Sequence, residues 1–113
     1  MMIVNATGHV VRKRNVDGSL TTYPPTDLMI RLESADVTRR DIVGEDVVQR
    51  RYYHGSLPAE RPDVLYIVSR KVAYAYSHLR GDLIYPDTED GAEREAGRVY
   101  AVRRFRRPDR LIV

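Results

Sequence analysis

Cysteine is absent from these 113 residues. That removes any disulfide framework and any thiolate metal site, and it is compatible with a reducing compartment. Tryptophan is absent too and phenylalanine occurs once, so eight tyrosines carry nearly all the aromatic surface. Tyrosine joins an apolar body to a polar tip, which suits half-buried surfaces and interfaces. Lysine is scarce: Lys13 and Lys71 are the only two, and every other basic side chain apart from histidine is an arginine. Arginine's planar fork matches phosphate and carboxylate, although a GC-rich genome gives the same bias with no function attached. No long apolar run is present. The apolar part of MMIVNATGHVVRKR is too short for a signal peptide or a membrane span, so a soluble, cytoplasmic protein with no membrane partner is expected. The three histidines, at positions 9, 54 and 78, lack ligand spacing. With no HExxH motif, no metal is expected. A glycine-rich phosphate loop and a nucleophile elbow are missing as well. No cofactor is implied, and no motif dictates a reaction.

What is there points to a single small domain. Charged residues make up 31% of the chain, yet the net charge is only +3. The most ordered pattern runs from Val64 to Asp87. Val64-Leu65-Tyr66-Ile67-Val68 is a short unbroken apolar run, as in a strand buried on both faces. Ser69 is a good N-cap. Val72, Ala75, Tyr76 and Leu79 then recur at helical spacing, and Gly81 stands where a helix could exit through a left-handed residue. Leu83-Ile84-Tyr85 follows and is stopped by Pro86. Strand, helix and strand with a crossover of this length is the minimal unit for two parallel strands.

Shorter strands are expected around this unit. Met1 to Ala6 is the first. Residues 10–14 and 20–23 flank the turn Asn15-Val16-Asp17-Gly18 and read as a hairpin. Leu28, Ile30 and Leu32 alternate with Met29, Arg31 and Glu33, a half-buried strand. Residues 35–44 are polar and read as a loop or one helical turn. Residues 47–53 read as an edge strand, 54–63 and 87–97 as loops, and 98–105 as a last strand. The expected architecture is α+β (or α/β): one domain over 1–113, a mixed sheet of five to seven strands, and one main helix, about 70–80, packed on one face. A small closed barrel plugged by the helix is the alternative.

Four sets of residues carry candidate chemistry. Ser69 and Arg70, with Lys71, stand at the expected helix start, where free amides favour an anion. The bland reading is a capping serine beside solvated cations. Asn5, Thr7 and His9 form a polar cluster after the first strand, as a phosphate donor or acid–base group or as a turn that satisfies backbone amides. Arg80, Asp82 and Asp87, with Arg94 beyond, lie at strand ends beside the crossover, where open α/β sheets bind ligands. Their bland reading is ion pairing that pins a loop. The tail Arg103-Arg104-Phe105-Arg106-Arg107-Pro108-Asp109-Arg110 could hold a nucleic-acid backbone or be a solvated flank.

The chain also resembles an uncharacterised family of small proteins from bacteriophages, other mobile elements and actinobacteria. Val4-Asn5-Ala6-Thr7-Gly8-His9 is similar to an Asn-Leu-Thr-Pro-His start, with Ala6 and Gly8 departing from it. Pro24-Pro25 resembles a Pro-Pro-Ser-Gly turn. Leu65-Tyr66-Ile67-Val68-Ser69 is similar to a VYIVS strand and cap. Arg80-Gly81-Asp82-Leu83-Ile84-Tyr85-Pro86-Asp87-Thr88, with Arg94-Glu95-Ala96-Gly97-Arg98-Val99, resembles the family's tail. A lesser likeness, in the order of elements, is to small viral proteins that bind or cleave cyclic oligoadenylates. The resemblance implies a phage-type binding protein in the host cytoplasm. Taken together with the helix start and its adjoining loops, it leads to the expectation of an anionic, nucleotide-like ligand held there, so that the protein sequesters a host-defence signal. Two alternatives stand beside it: an interaction module forming a homo-oligomer or partner interface, and a phosphodiesterase using His9 or His54.

Overall fold

The computed structural model describes residues 1–40, 44–53 and 57–110. The fold is α+β, a mixed sheet with one short helix. Its centre is a four-stranded sheet of β1 (Met2–Asn5), β6 (Val64–Ile67), β7 (Leu83–Pro86) and β10 (Phe105–Arg106), in that spatial order. β1, β6 and β7 are parallel, and β10 closes the far edge antiparallel to β7. The remaining strands form three two-stranded units: β2 (Val11–Arg14) with β3 (Leu20–Tyr23), β4 (Glu33–Arg40) with β5 (Asp46–Tyr53), and β8 (Glu93–Glu95) with β9 (Arg98–Ala101). The central sheet is therefore narrower than the expected five to seven strands. The β2–β3 hairpin, which reads as a further sheet member, packs on one face of the sheet instead, through Val11 and Tyr23.

The unbroken apolar run of β6 is explained by two separate cores. Successive side chains of a strand point to opposite faces. Val64, Tyr66 and Val68 enter one core together with Leu83, Tyr85, Val72, Ala73 and Tyr76. Ile67 enters the other with Ile84 and Val11, against which Tyr23, Leu65 and Phe105 pack. The helix side of the sheet and the β2–β3 side are both covered, so a period-two polar face never develops. Ile67 and Val68 are fully buried. Each contributes roughly 1.5–3 kcal/mol by leaving water.

The strand–helix–strand unit forms as its spacing predicts, with one difference. The helix α1 spans Arg70–Ala75, six residues rather than eleven. Ser69 caps it, its hydroxyl accepting from the Val72 amide at 3.2 Å. Tyr76 already has non-helical dihedrals, and the chain tightens through turn bonds from Ser77 to Tyr74 and from Leu79 to Tyr76. Ser77 and His78 are weak helix formers, and Arg80 is tied to Asp82 and to the Pro58 carbonyl. The buried face is accordingly Val72, Ala73 and Tyr76, while Leu79 is 53% exposed. Gly81 is not in the left-handed region, because the helix has ended before it.

Two other segments depart from the sequence reading. Residues 28–32 are extended and place Leu28, Ile30 and Leu32 against the core, as the alternation predicts. They form no ladder, however; the Ile30 amide simply donates to the Ala6 carbonyl. The polar stretch expected as a loop at 35–44 lies largely in β4, which pairs in register with β5 from Glu33↔Tyr53 to Arg40↔Asp46. The expected loop 87–97 contains β8, joined to β9 through Ala96 and Gly97, both at positive φ.

Candidate functional site

Three parallel strands finish at the same edge of the central sheet. Asn5 ends β1, Ile67 ends β6 and Pro86 ends β7. Outside such carboxyl ends, open sheets with parallel strands hold their ligands. A cleft of about 410 Å³ lies there, within the ordinary size of a small-molecule site. Its walls are apolar: Val11, Val68, Ala101 and Val102 are all buried core residues. Hydroxyls of Thr7, Ser69 and Thr88 stand around them, one from each strand end. His9, Arg12, Arg70 and Tyr100 complete the lining. Among the described residues, no aspartate or glutamate lines it.

The turn that presents Thr7 and His9 is built by Asn5. Its side chain is 2% exposed and fully engaged. The amide Nδ2 donates to the carbonyls of His9 and Tyr23, and Oδ1 accepts from the Thr7 amide at 3.0 Å and the Thr7 hydroxyl at 2.7 Å. Gly8 completes the turn at φ +83°, and a Cβ there would stand 2.6 Å from the Met29 methyl. Asn5 is thus a scaffold residue, while His9 is exposed at the cleft.

The two arginines are held loosely. Arg12 lies over the Tyr100 ring, 4.8 Å from its centroid. Arg70 approaches the Tyr74 ring at 5.4 Å and pairs with Glu89 at 3.3 Å. That pair is exposed on both sides, 60% and 76%. Such a contact contributes about 0–1 kcal/mol, which an incoming anion can replace. Tyr74, and after it Tyr85 and Glu89, push the Arg70 pKa up, so it stays cationic. A six-residue helix whose cap hydroxyl already serves Val72 adds little to anion binding, so the arginines and hydroxyls carry the electrostatics here.

The candidate residues therefore divide. Thr7, His9, Ser69 and Arg70 meet in the cleft, although they come from separate stretches of chain. Arg80 and Asp82 do not join them. A crossover between parallel strands must return the chain to the opposite edge of the sheet, so Asp82 precedes β7 while the cleft follows it. There the Arg80 guanidinium grips Asp82 with two bonds, 2.9 Å and 2.6 Å, and donates to the Pro58 carbonyl at 2.8 Å. Asp87 sits beside the cleft but faces inward, 3% exposed. It accepts from Arg104 Nε at 2.7 Å and from the amides of Asp90 and Glu89. Arg104 first, then those amides, hold its pKa at about 2. Arg94 donates to the Thr88 carbonyl at 3.2 Å.

The basic tail is drawn into the fold in the same way. Arg103 donates to the Gly91 carbonyl, Arg104 pairs with Asp87 and Asp90, and Arg107 donates to the Gly81 carbonyl. His54 lies outside the described residues. The sequence reading missed Arg12 and Tyr100. They are brought together only when β2 meets the chain at Val102, through bonds from Arg14 and to Arg12, and no local pattern announces that meeting. No metal-ligating group of histidine, aspartate and glutamate occurs among the described residues, and none of their helices is long and apolar enough to cross a membrane. No protein-family model matches the chain, and neither curated proteins nor solved structures give a match to it.

Proposed function

We propose that the cleft binds a small anionic ligand with a flat, largely apolar body, of the nucleotide type, and that the chain works by holding it. The observation that carries this reading is that Arg12 and Arg70 both line a largely apolar cleft that no described carboxylate lines. An arginine fork suits phosphate oxygens. Tyr100 and the valines offer a base or similar ring the apolar contact it needs. The hydroxyls of Thr7, Ser69 and Thr88 supply neutral hydrogen bonds that fix orientation. On the resemblance to proteins of mobile elements, sequestering a signalling nucleotide is the role that fits binding without turnover.

The test is a thermal-unfolding screen against mononucleotides, cyclic nucleotides and short cyclic oligonucleotides. A binder present at 100 times its Kd stabilises the fold by about 2.7 kcal/mol, which raises Tm by roughly 10 °C in a domain of this size. The shift should vanish in the Arg12→Ala, Arg70→Ala double variant. No shift with any member of the panel rejects the reading. Because His9 lines the cleft, cleavage is the second reading, and the bound compound should be recovered and analysed. Recovery intact supports holding. Conversion that stops in His9→Ala supports a phosphodiesterase.

A further inference from the structure

The arm formed by β4 and β5 is longer than any other strand pair and stands apart from the rest. Each strand has eight residues, and among the described strands neither pairs with anything but the other. The molecule is drawn out accordingly. Its principal extents are 58 × 35 × 34 Å and its radius of gyration is 17.0 Å, against about 13 Å for a compact domain of this length. Val47 and Val48 are consecutive, so they face opposite sides of the ribbon, yet they are 51% and 60% exposed. Both faces are open at that point. A lone two-stranded ribbon is at best marginally stable in water, and a long free strand edge is a template for another strand.

We propose that a second copy of this chain occupies the arm, the two β4 strands pairing edge to edge and antiparallel about a two-fold axis. The order of charges along β4 carries the choice of partner. Acids come first, at Glu33 and Asp36, and arginines last, at Arg39 and Arg40. An antiparallel self-pair therefore sets the acidic half of one strand against the basic half of its copy. Glu33 then stands across from Arg40 of the second copy, and the symmetry makes that pair twice. Opposite charges directly across a ladder are favourable, and like charges are not. The arm carries no basic excess overall: the acids at Glu33, Asp36, Asp41, Glu45 and Asp46 outnumber Arg39, Arg40, Arg50 and Arg51 by one. A ribbon that grips nucleic acid carries an excess of positive charge, and this one does not. Size sets a further condition. A ribbon ~26 Å long and ~10 Å wide offers only ~260 Å² per face, below what a specific interface buries. Edge pairing, which joins the two ribbons into one four-stranded sheet, adds the missing main-chain bonds.

The experiment is light scattering and sedimentation on the full chain without ligand. The expected mass is twice the 13.0 kDa of the chain. Glu33→Arg should weaken dimerisation by about 10-fold or more, since two favourable pairs become two repulsive ones. The swap Glu33→Arg with Arg40→Glu should restore it. Tm of each variant, read at a concentration where all are monomeric, should stay near wild type, which separates loss of pairing from loss of folding. A wild-type chain that is monomeric up to its highest soluble concentration overturns the proposal. So does a dimer indifferent to Glu33→Arg, or one that the swap fails to restore. Capture of DNA or RNA by the monomer, with steep salt dependence, would assign the arm to nucleic acid and also overturn it. None of these outcomes bears on ligand binding in the cleft.

Discussion

The two edges of the central sheet use arginine in opposite ways. At the edge where β7 begins, the Arg80 side chain is 12% exposed and Asp82 is 5% exposed, and each satisfies the other. Glu60 reaches the same guanidinium at 3.4 Å. At the edge where β1, β6 and β7 end, Arg12 rests on a tyrosine ring and Arg70 on a solvent-exposed pair. The first arrangement resists change because the partner left behind would be a buried charge. The second yields easily because its partners are weak and wet. Arginine that is locked marks construction, and arginine that is loosely held can change partners at little cost.

The largest effect that could break this contrast lies at Asp82. Removing one member of a buried pair costs about 3–5 kcal/mol, because the other charge is left unpaired. Asp82→Ala should lower Tm by about 15 °C or more, measured by calorimetry, with little change in ligand affinity at temperatures where the variant is folded. A Tm within a few degrees of wild type would mean that the edge where β7 begins is no more fixed than the edge at the cleft. Arg70→Ala is the mirror experiment. Losing an exposed pair should leave Tm almost unchanged, while losing a charged hydrogen bond to the ligand should weaken binding by about 10-fold to 100-fold. Titration calorimetry with whichever nucleotide gives the largest thermal shift checks this. If Tm falls and affinity holds, the roles of the two edges are reversed.

How much of this was legible follows from how local each signal is. β6 and the start of α1 could be read because the apolar run and the capping serine are contiguous. The inward set Leu28, Ile30 and Leu32 could be read because alternation is a property of the extended chain, whatever its neighbour. β4 could not, because a ribbon with open faces has no buried stripe to impose a period. The cleft was half legible. Thr7, His9, Ser69 and Arg70 follow their strands directly, so a parallel reading of β1 and β6 sends them to one edge. Placing Arg80 and Asp82 there ignored that a crossover carries the chain back to the other edge. Arg12 with Tyr100 was out of reach, since 88 positions separate them and neither belongs to a motif.

A smaller effect tests the wall beside the cleft. Asp87 is buried, and Arg104, with the Asp90 and Glu89 amides, stabilises its ionised form, so its pKa falls from 3.8 to about 2 on folding. A carboxyl with a lowered folded pKa contributes stability that is complete above its unfolded pKa and fades as the pH drops through the folded one. The contribution is therefore whole above about pH 4 and lost toward pH 2. Urea midpoints for Asp87→Asn should lie below wild type at neutral pH, fall less steeply between pH 4 and pH 2, and meet the wild-type curve near the bottom. Parallel curves would show that Asp87 takes no proton on unfolding in this range.

The smallest expected effect is at Leu79, and it sharpens the same comparison from the helix side. Helical spacing from Val72 through Ala75 and Tyr76 puts Leu79 on the inner stripe. Burying a leucine there would make Leu79→Ala cost about 2–5 kcal/mol. The helix stops at Ala75, however, and Leu79 is 53% exposed in the turn that hands the chain to Arg80. Leu79→Ser should then change stability by less than about 0.5 kcal/mol, as surface substitutions do, and urea unfolding resolves the difference. A cost near that of a core leucine would mean that α1 runs on to Leu79 in solution. The edge where β7 begins would then be held by helix packing rather than by the Arg80–Asp82 fork, and the division of labour between the two edges would have a different cause.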